Sequence, residues 1–314
     1  VAMDVYTRDN HDLIGTPRTQ GVGGEIAKFA NIASMKSHGF ELSVSSNNIK
    51  TKDFSWNTDF IYSIYKNEVT DLNAIATTMD YVSGTGFTMV GYPHRGLFSI
   101  PFAGLDSNGI PMFYNEKGEI TSTDLSFQSS DGFSWFKYEG PTEPTFTGSL
   151  GNSFTYKNVH LNVFFTYSGG NVVRLDPVFS YRYSDLTATT REFKNRWMVP
   201  GDENRTNVPT ILSYRQYYEN AELRNAYSAY NYSTERVAKG GFIRLKEISV
   251  AYDFPKKWLS ALKVSNVSLK LQATNLCLLY ADKKLNGQDP EFVNSGGVAS
   301  PVPRQFTMTL RLGL

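Results

Sequence analysis

The residue types that support catalysis or metal binding occur in this sequence but are scattered along it. The four histidines lie far apart, and no two have the spacing at which a helix presents a pair of metal ligands. The glycines at residues 84–86 lack the strand-to-helix context of a phosphate-binding loop. Asp106-Ser107-Asn108-Gly109 has no distal glutamate to complete a calcium loop, which favours a plain turn. We therefore predict that the chain is not an enzyme and has no catalytic residues, no cofactor and no metal site.

The composition also argues against several other classes of protein. The 314 residues carry a formal net charge of +1, so nothing indicates a nucleic-acid-binding surface. The single cysteine, Cys277, excludes an internal disulfide and a cysteine-rich zinc site. No apolar run reaches the roughly 18 residues of a membrane helix. The first residues are neither basic nor followed by an apolar segment, so we expect no signal peptide in this sequence.

The composition best suited to recognition lies at residues 169–240, which are rich in tyrosine and arginine. Rigid aromatic rings with a polar tip, together with fork-like guanidinium donors, suit a polar, extended ligand or a protein partner. The same side chains can instead pack long loops against one another, because such loops must bury some surface to stay ordered. The predicted ligand- or partner-binding residues are Trp135, Tyr138, Tyr181, Tyr183, Arg196, Trp197 and Tyr217.

Strands must position these residues, because alternation of apolar and polar side chains dominates the sequence. Residues 305–314 have one fully apolar face, and residues 267–278 repeat the pattern. Two hairpins are predicted within residues 39–65 and 145–168. A further strand is predicted over residues 242–254. Each alternating stretch is near the roughly 9–11 residues that a tilted strand needs to cross a bilayer.

The connections between these strands sort by length. The short ones, 46–53, 157–158 and 255–265, fall at one end of the sheet. The long ones fall at the other end and cover about 8–38, 67–143, 169–240 and 279–303, with a helix predicted around 211–230. A soluble sandwich has no reason to sort its loops in this way, whereas a transmembrane barrel has short turns on one side and long external loops on the other. The predicted fold is an all-β antiparallel transmembrane β-barrel segment, and the alternative is a soluble all-β carbohydrate-binding module.

One predicted strand departs from the pattern. By simple alternation, Arg244 and Lys246 share a face with the apolar residues at 242, 248 and 250. A cation on the lipid face costs about 2–4 kcal/mol at mid-bilayer. We therefore expect that end of the strand to project above the hydrocarbon, on the side of the long loops.

Several segments, in order, resemble those of SusC/RagA-type, TonB-linked outer-membrane transporters of Bacteroidetes. The strand-and-turn stretch at residues 236–255 carries the strongest likeness, and Asn195-Arg196-Trp197 with Pro200-Gly201-Asp202 resembles a loop motif. The remaining pieces are Gly39-Phe40-Glu41-Leu42, Phe102-Ala103-Gly104-Leu105-Asp106, Gly109-Ile110-Pro111-Met112-Phe113-Tyr114, Thr274-Asn275-Leu276 and Asp289-Pro290-Glu291. Together they span essentially the whole chain, 1–314.

This resemblance implies that the chain is the C-terminal barrel portion of such a transporter, with about eight strands of a barrel of about 22. It implies a location in the outer membrane and a role in importing oligosaccharides or peptides. The implied partners are a SusD-like surface lipoprotein, the TonB–ExbB–ExbD complex and the ligand. TonB would act through a plug region that, with the early barrel strands, lies outside this sequence.

Overall fold

Strands account for most of the regular structure in the computed structural model, which describes residues 1–16, 29–74, 76–123, 135–178, 189–259, 264–293 and 302–313. In chain order the strands are β1 (Ala2–Gly15), β2 (Ala30–Lys50), β3 (Phe54–Leu72), β4 (Gly96–Ser99), β5 (Phe102–Leu105), β6 (Pro111–Tyr114), β7 (Ile120–Thr121), β8 (Lys137–Pro141), β9 (Phe146–Tyr156), β10 (Val159–Gly169), β11 (Val172–Arg174), β12 (Val237–Lys239), β13 (Phe242–Asp253), β14 (Asn266–Tyr280) and β15 (Gln305–Gly313). The α-helices are α1 (Thr78–Val82), α2 (Tyr214–Glu219), α3 (Ala221–Asn231) and α4 (Lys256–Leu259), and short 3-10 turns cover Arg191–Asn195, Asp202–Asn204, Thr234–Arg236 and Lys283–Leu285.

Eight of the strands form one open antiparallel sheet, which we call the wall, in the order β1-β2-β3-β9-β10-β13-β14-β15. The predicted hairpins are confirmed as β2–β3 and β9–β10, with the partners Phe40↔Ile64 and Leu161↔Phe154. Because each wall strand pairs with the next one along the chain, alternate connections leave from the same end. The other strands and helices α1 to α3 lie within the two long insertions between β3 and β9 and between β10 and β13.

The wall extends into a segment that the sequence predicted as loop. Residues 8–15 and 30–38 belong to β1 and β2, with the pairs Arg8↔Ser37 and Asn10↔Met35. The predicted loop over 8–38 is therefore wrong at both ends, because ladder hydrogen bonds between long neighbouring strands outweigh the weak local strand preference of Asn, Asp and Gly. Strand β3 similarly continues to Leu72, beyond the predicted start of the loop at residue 67.

The register places side chains of one kind in rows across the wall. One row is polar and contains Asn47, Asn57, Ser153, Asn162, Ser249, Gln272 and Thr307. The adjacent row is apolar and contains Ile49, Trp56, Phe154, Leu161, Val250, Leu271 and Met308. Since successive side chains of a strand point to opposite sides, these two rows belong to opposite faces, which we call the polar face and the apolar face.

The apolar face stays uncovered by the described parts of the chain. Val250 is 44% exposed, Leu271 is 52% exposed and Met308 is 72% exposed. A soluble sandwich would bury this face under a second sheet or a helix. The buried core clusters instead consist of residues from the long connections. Among the described residues, no helix has both the length and the apolar character needed to cross a membrane.

A β-bulge in β13 changes the predicted placement of Arg244 and Lys246. Against β10 the pairing jumps from Leu245 to Glu247 although their partners Phe165 and Phe164 are consecutive, which leaves Lys246 as the extra residue. Lys246 is also unpaired against β14. The faces therefore exchange at Lys246. Arg244 is 5% exposed on the polar face, whereas its neighbour Ile243 is 42% exposed on the apolar face. The prediction that both cations share the apolar face was wrong, because simple alternation does not reveal a bulge.

Three wall glycines lie directly opposite an aromatic residue of the neighbouring strand, whose ring covers the glycine backbone. The pairs are Gly39 with Tyr6, Gly148 with Tyr167 and Gly169 with Phe146. A ring that folds over a glycine fills the space of the missing side chain and fixes the cross-strand pair. Gly148 is the most constrained, since the Tyr167 hydroxyl also donates a hydrogen bond to the Ile61 carbonyl oxygen at 2.9 Å.

Gly148→Ala is expected to destabilise the wall far more than Gly151→Ala in the same strand. An added methyl group at Gly148 overlaps the Tyr167 ring and the Ile61 carbonyl oxygen, whereas at Gly151 the nearest heavy atom is 3.5 Å away. Overpacking of this kind costs about 1–3 kcal/mol. The measurement is the temperature at which each variant, purified in detergent at native length, loses its folded, faster-migrating form on gels. Equal transitions for the two variants would show that the Tyr167–Gly148 contact is not tight.

Candidate functional site

The two long insertions fold together around one apolar core at the end of the wall where the long connections leave. The first insertion contributes five buried side chains and the second contributes six. The cluster contains Val82, Phe98, Ile100, Phe113, Phe136, Val178, Phe193, Val208, Ala226, Ala229 and Tyr230. Helix α3 supplies three of these along one face, and its N-terminus is capped by the Asn220 side chain, which accepts a hydrogen bond from the Leu223 N–H at 3.0 Å. The insertions therefore form one packed body.

A buried arginine joins the two insertions. Arg174 is 5% exposed and donates through Nη1 to the Ser99 hydroxyl at 3.1 Å and to the Ser233 carbonyl oxygen at 2.9 Å. Its Nη2 donates to the carbonyl oxygens of Phe98 at 2.7 Å and Val82 at 3.3 Å. Burial lowers the pKa of Arg174 to about 10, so it stays charged at neutral pH. Removing it would break four hydrogen bonds in a buried position.

A second buried arginine fixes the connection between β14 and β15 onto the wall. Arg244 of β13 donates to both carboxylate oxygens of Asp289 at 2.6 Å and lies 2.7 Å from Glu291. Asp289 is 8% exposed, so the pair is largely removed from water. Loss of one partner from such a pair leaves an uncompensated buried charge and is strongly destabilising. The Asp289-Pro290-Glu291 motif of the sequence therefore serves as the anchor of this loop.

A large cavity lies where the polar face of the wall meets these loops. Its volume is about 660 Å³. The wall contributes residues of β9, β10 and β13, and the insertions and the β14–β15 connection close the other sides. The residues that shape its chemistry are Arg95, Thr142, Glu143, Thr147, Thr166, Ser168, Asn171, Phe242, Lys246 and Glu291. A concave space in which charged and hydroxyl groups stand among apolar surface can hold a ligand that carries both kinds of group.

Two of the predicted binding residues contribute to the core of the insertions. Trp135 and Tyr138 pack against the buried cluster, and the Tyr138 ring lies 5.4 Å from the Phe98 ring. Burial raises the pKa of Tyr138 to about 12. Neither residue lines the cavity. Trp135 and Tyr138 therefore have the packing role that the sequence analysis gave as the alternative for the loop aromatics.

Trp197 and Arg196 lie on the turn of the second insertion that carries the Pro-Gly-Asp motif. The Trp197 indole donates to the Glu203 carboxylate at 3.0 Å, and its ring covers the backbone of Gly109 from the first insertion. This hydrogen bond and those from nearby groups hold the pKa of Glu203 below its usual value. The Arg196 guanidinium lies over the Phe193 ring at 4.9 Å. Both side chains are half-buried.

Tyr217 lies on α2 beside an exposed aromatic surface. Its ring contacts that of Tyr218 at 5.3 Å and lies 5.8 Å from the Arg224 guanidinium. Tyr214 and Tyr218 on the same helix are 77% and 44% exposed. The helix predicted around 211–230 is confirmed, although Asn220 divides it into α2 and α3. Tyr181 and Tyr183, the remaining predicted residues, lie outside the described residues.

Sequence reasoning missed the wall side of the cavity. Thr147, Thr166 and Ser168 follow the alternation of the second hairpin, so their polar face was readable, but nothing in the sequence showed which loops would lie over them. Lys246 was assigned to the opposite face because of the bulge. The cavity therefore depends on contacts between segments far apart in the chain, which local patterns do not show.

The chain is similar to TonB-dependent receptors along nearly its whole length. It is 25% identical to the TonB-dependent receptor P3 of Formosa agariphila over 93% of this chain and 28% of the relative. It is 26% identical to the TonB-dependent receptor SusC of Bacteroides thetaiotaomicron over 99% of this chain and 30% of the relative. No family profile matches the chain.

A solved structure shares the fold. The structure of the RagAB peptide transporter superimposes with a TM-score of 0.74 at 21% identity and covers 99% of this chain and 33% of that chain. The chain thus spans about a third of the length of the proteins that it matches. These similarities confirm the resemblance and the outer-membrane β-barrel class that the sequence predicted. The relatives are named as receptors and a transporter, not as enzymes.

Gly109→Ala is expected to displace Trp197, whereas Gly118→Ala is not. Both glycines end similar turns and have left-handed backbone, with φ of 75° and 77°, so both variants carry the same backbone cost of about 1–2 kcal/mol. Only at Gly109 does an added methyl group meet the Trp197 ring, and nothing lies within 4 Å at Gly118. The measurement is indole fluorescence, with a red shift expected for Gly109→Ala alone. The same spectrum for both variants would contradict the contact.

Proposed function

We propose, from its similarity to TonB-dependent receptors, that this chain forms wall and external loops of a TonB-dependent outer-membrane importer of oligosaccharides or peptides. The observation that carries the proposal is the uncovered, mostly apolar face that extends across the wall. In water this face would be a large exposed hydrophobic surface, which soluble monomers avoid. Against acyl chains it is the surface that a membrane barrel requires.

Aromatic side chains at both ends of the apolar face support its placement in a bilayer. Near the short turns, the Tyr252 and Phe254 rings lie 5.1 Å apart, and Trp258 of α4 is 62% exposed beside them. Near the long loops, Tyr62 and Tyr167 flank Gly148 in one row. The two ends are roughly 27 Å apart along a strand at about 3.4 Å per residue. Tilted strands with such aromatic ends match an apolar band of about 25 Å.

The loops and the cavity suit capture of cargo on the outer side. The cavity opens between the polar face and the packed insertions, so bound cargo would lie at the mouth of the lumen. We propose that Arg196, Trp197 and Tyr217, which keep part of their surface exposed, contact cargo or a SusD-like lipoprotein that covers the loops. Energy would reach the barrel from the TonB–ExbB–ExbD complex through a plug region outside this sequence.

The proposal predicts that the native-length protein is recovered from outer-membrane fractions as a heat-modifiable band. Cells that express it should take up labelled peptide or oligosaccharide mixtures, and uptake should stop when the gene is deleted or when a protonophore removes the energy source. Cells that carry the gene but lack TonB serve as the matched control. Recovery of the protein in the soluble fraction would contradict the proposal.

A further inference from the structure

The bulge in β13 presents a lysine to the cavity. Lys246 is the unpaired residue between Leu245 and Glu247, and its half-buried side chain lines the cavity on the polar face. Without the bulge, Lys246 would share the face of Ile248 and Val250 and would point away from the lumen. Bulges are common where a strand must aim a side chain at a functional site.

Lys246 is the charged side chain of the cavity that has no carboxylate partner among the described residues. Four charged side chains line the space. Arg95 and Glu143 pair with each other at 3.4 Å, and Glu291 pairs with Arg244 at 2.7 Å. Within the described chain, no carboxylate lies within 4 Å of the Lys246 ammonium group. The charges around the cavity balance overall, since Arg244 is shared between Asp289 and Glu291, and Lys246 is the one lining charge that no described carboxylate contacts.

Three hydroxyl groups of the wall line the same cavity as Lys246. Thr147 and Ser168 are direct cross-strand partners, and Thr166 lies two residues away on the same face. No side-chain hydrogen bond within the described ranges engages their hydroxyl groups. Hydroxyl and ammonium groups both donate to oxygen acceptors, and charge-assisted hydrogen bonds are the stronger kind. Phe242, the cross-strand partner of Ser168, and Val172 provide apolar surface for the rest of a ligand.

We propose that this cavity binds the carboxylate group of an acidic cargo, with Lys246 as its counter-ion and the wall hydroxyls as additional donors. The inference rests on the proposed import function and specifies its cargo chemistry. A carboxylate matches the single unpaired ammonium in charge and occurs in acidic peptides and in uronic-acid oligosaccharides. Neutral cargo leaves Lys246 without a partner and gains nothing from its position.

The test measures binding of charged and neutral forms of the same probe to native-length protein purified from outer membranes. One pair is a fluorescent peptide rich in Asp and Glu and its Asn and Gln counterpart. The other pair is an oligogalacturonate and its methyl ester. The variant is Lys246→Gln, and the control is Lys270→Gln, because Lys270 lies on the same face, outside the cavity, with Glu247 at 4.0 Å.

The native protein should bind the charged form of at least one pair about tenfold more tightly than the neutral form. Lys246→Gln should abolish this preference and leave the affinity for the neutral form unchanged, whereas Lys270→Gln should retain the preference. The pair that shows the preference identifies the source of the carboxylate. Equal or absent binding of charged and neutral forms in both pairs, or a preference that survives Lys246→Gln, would overturn the inference. Membrane location and energy-dependent uptake are measured separately, so the inference can fail while the import function stands.

Discussion

The cross-strand register of the wall is the constraint on which the rest of the structure depends. A strand alternates its two faces at every residue, so a shift of one residue would move every apolar side chain to the polar side. Glycine–aromatic pairs such as Gly148 with Tyr167 fix this register, because the ring of one strand fills the space beside the glycine of the next strand. The single bulge at Lys246 breaks the alternation within β13 and turns Arg244 and Lys246 away from the apolar face. In β13 this arrangement keeps both cations away from the uncovered surface and brings them to the face where the loops and the cavity lie.

The long loops form a packed body whose segments are connected by buried arginines. Their core contains no wall residue of the apolar face, so they obtain their order from each other. Arg174 joins one insertion to the other, and Arg244 joins the β14–β15 connection to the wall. Buried arginines of this kind contribute little net stability compared with apolar residues of the same volume. The fixed geometry of their N–H groups, however, allows only one arrangement of acceptors. They fix the cavity between segments that lie far apart in the chain.

Much of the wall was predictable because its signal is local. The alternation of residues 145–168 and 305–314 predicted where these strands lie and which side chains share a face. The lengths of the connections predicted at which end of the sheet each connection lies. The ladder of β1 with β2 was missed because pairing between strands overrides the local preferences of polar and glycine residues. The bulge was missed because it is a property of the pairing, in which two residues of β13 lie opposite one residue of β10. The sequence of one strand does not show this pairing. The packing of Trp135 and Tyr138 in the core, and the assembly of the cavity from β10, β13 and Glu291, depend on contacts between distant segments that no local pattern encodes.

The central claim is that the apolar face touches acyl chains while the polar face meets water. Its most direct test is spin-label accessibility at two adjacent positions of β14, Leu271 and Gln272, each replaced by Cys in protein whose Cys277 is changed to Ala. In native-length protein reconstituted in lipid, the label at 271 should collide with dissolved oxygen and be shielded from a water-soluble nickel chelate, and the label at 272 should show the reverse. The same accessibility at both positions, or a label at 271 that is open to the nickel chelate, would contradict the account.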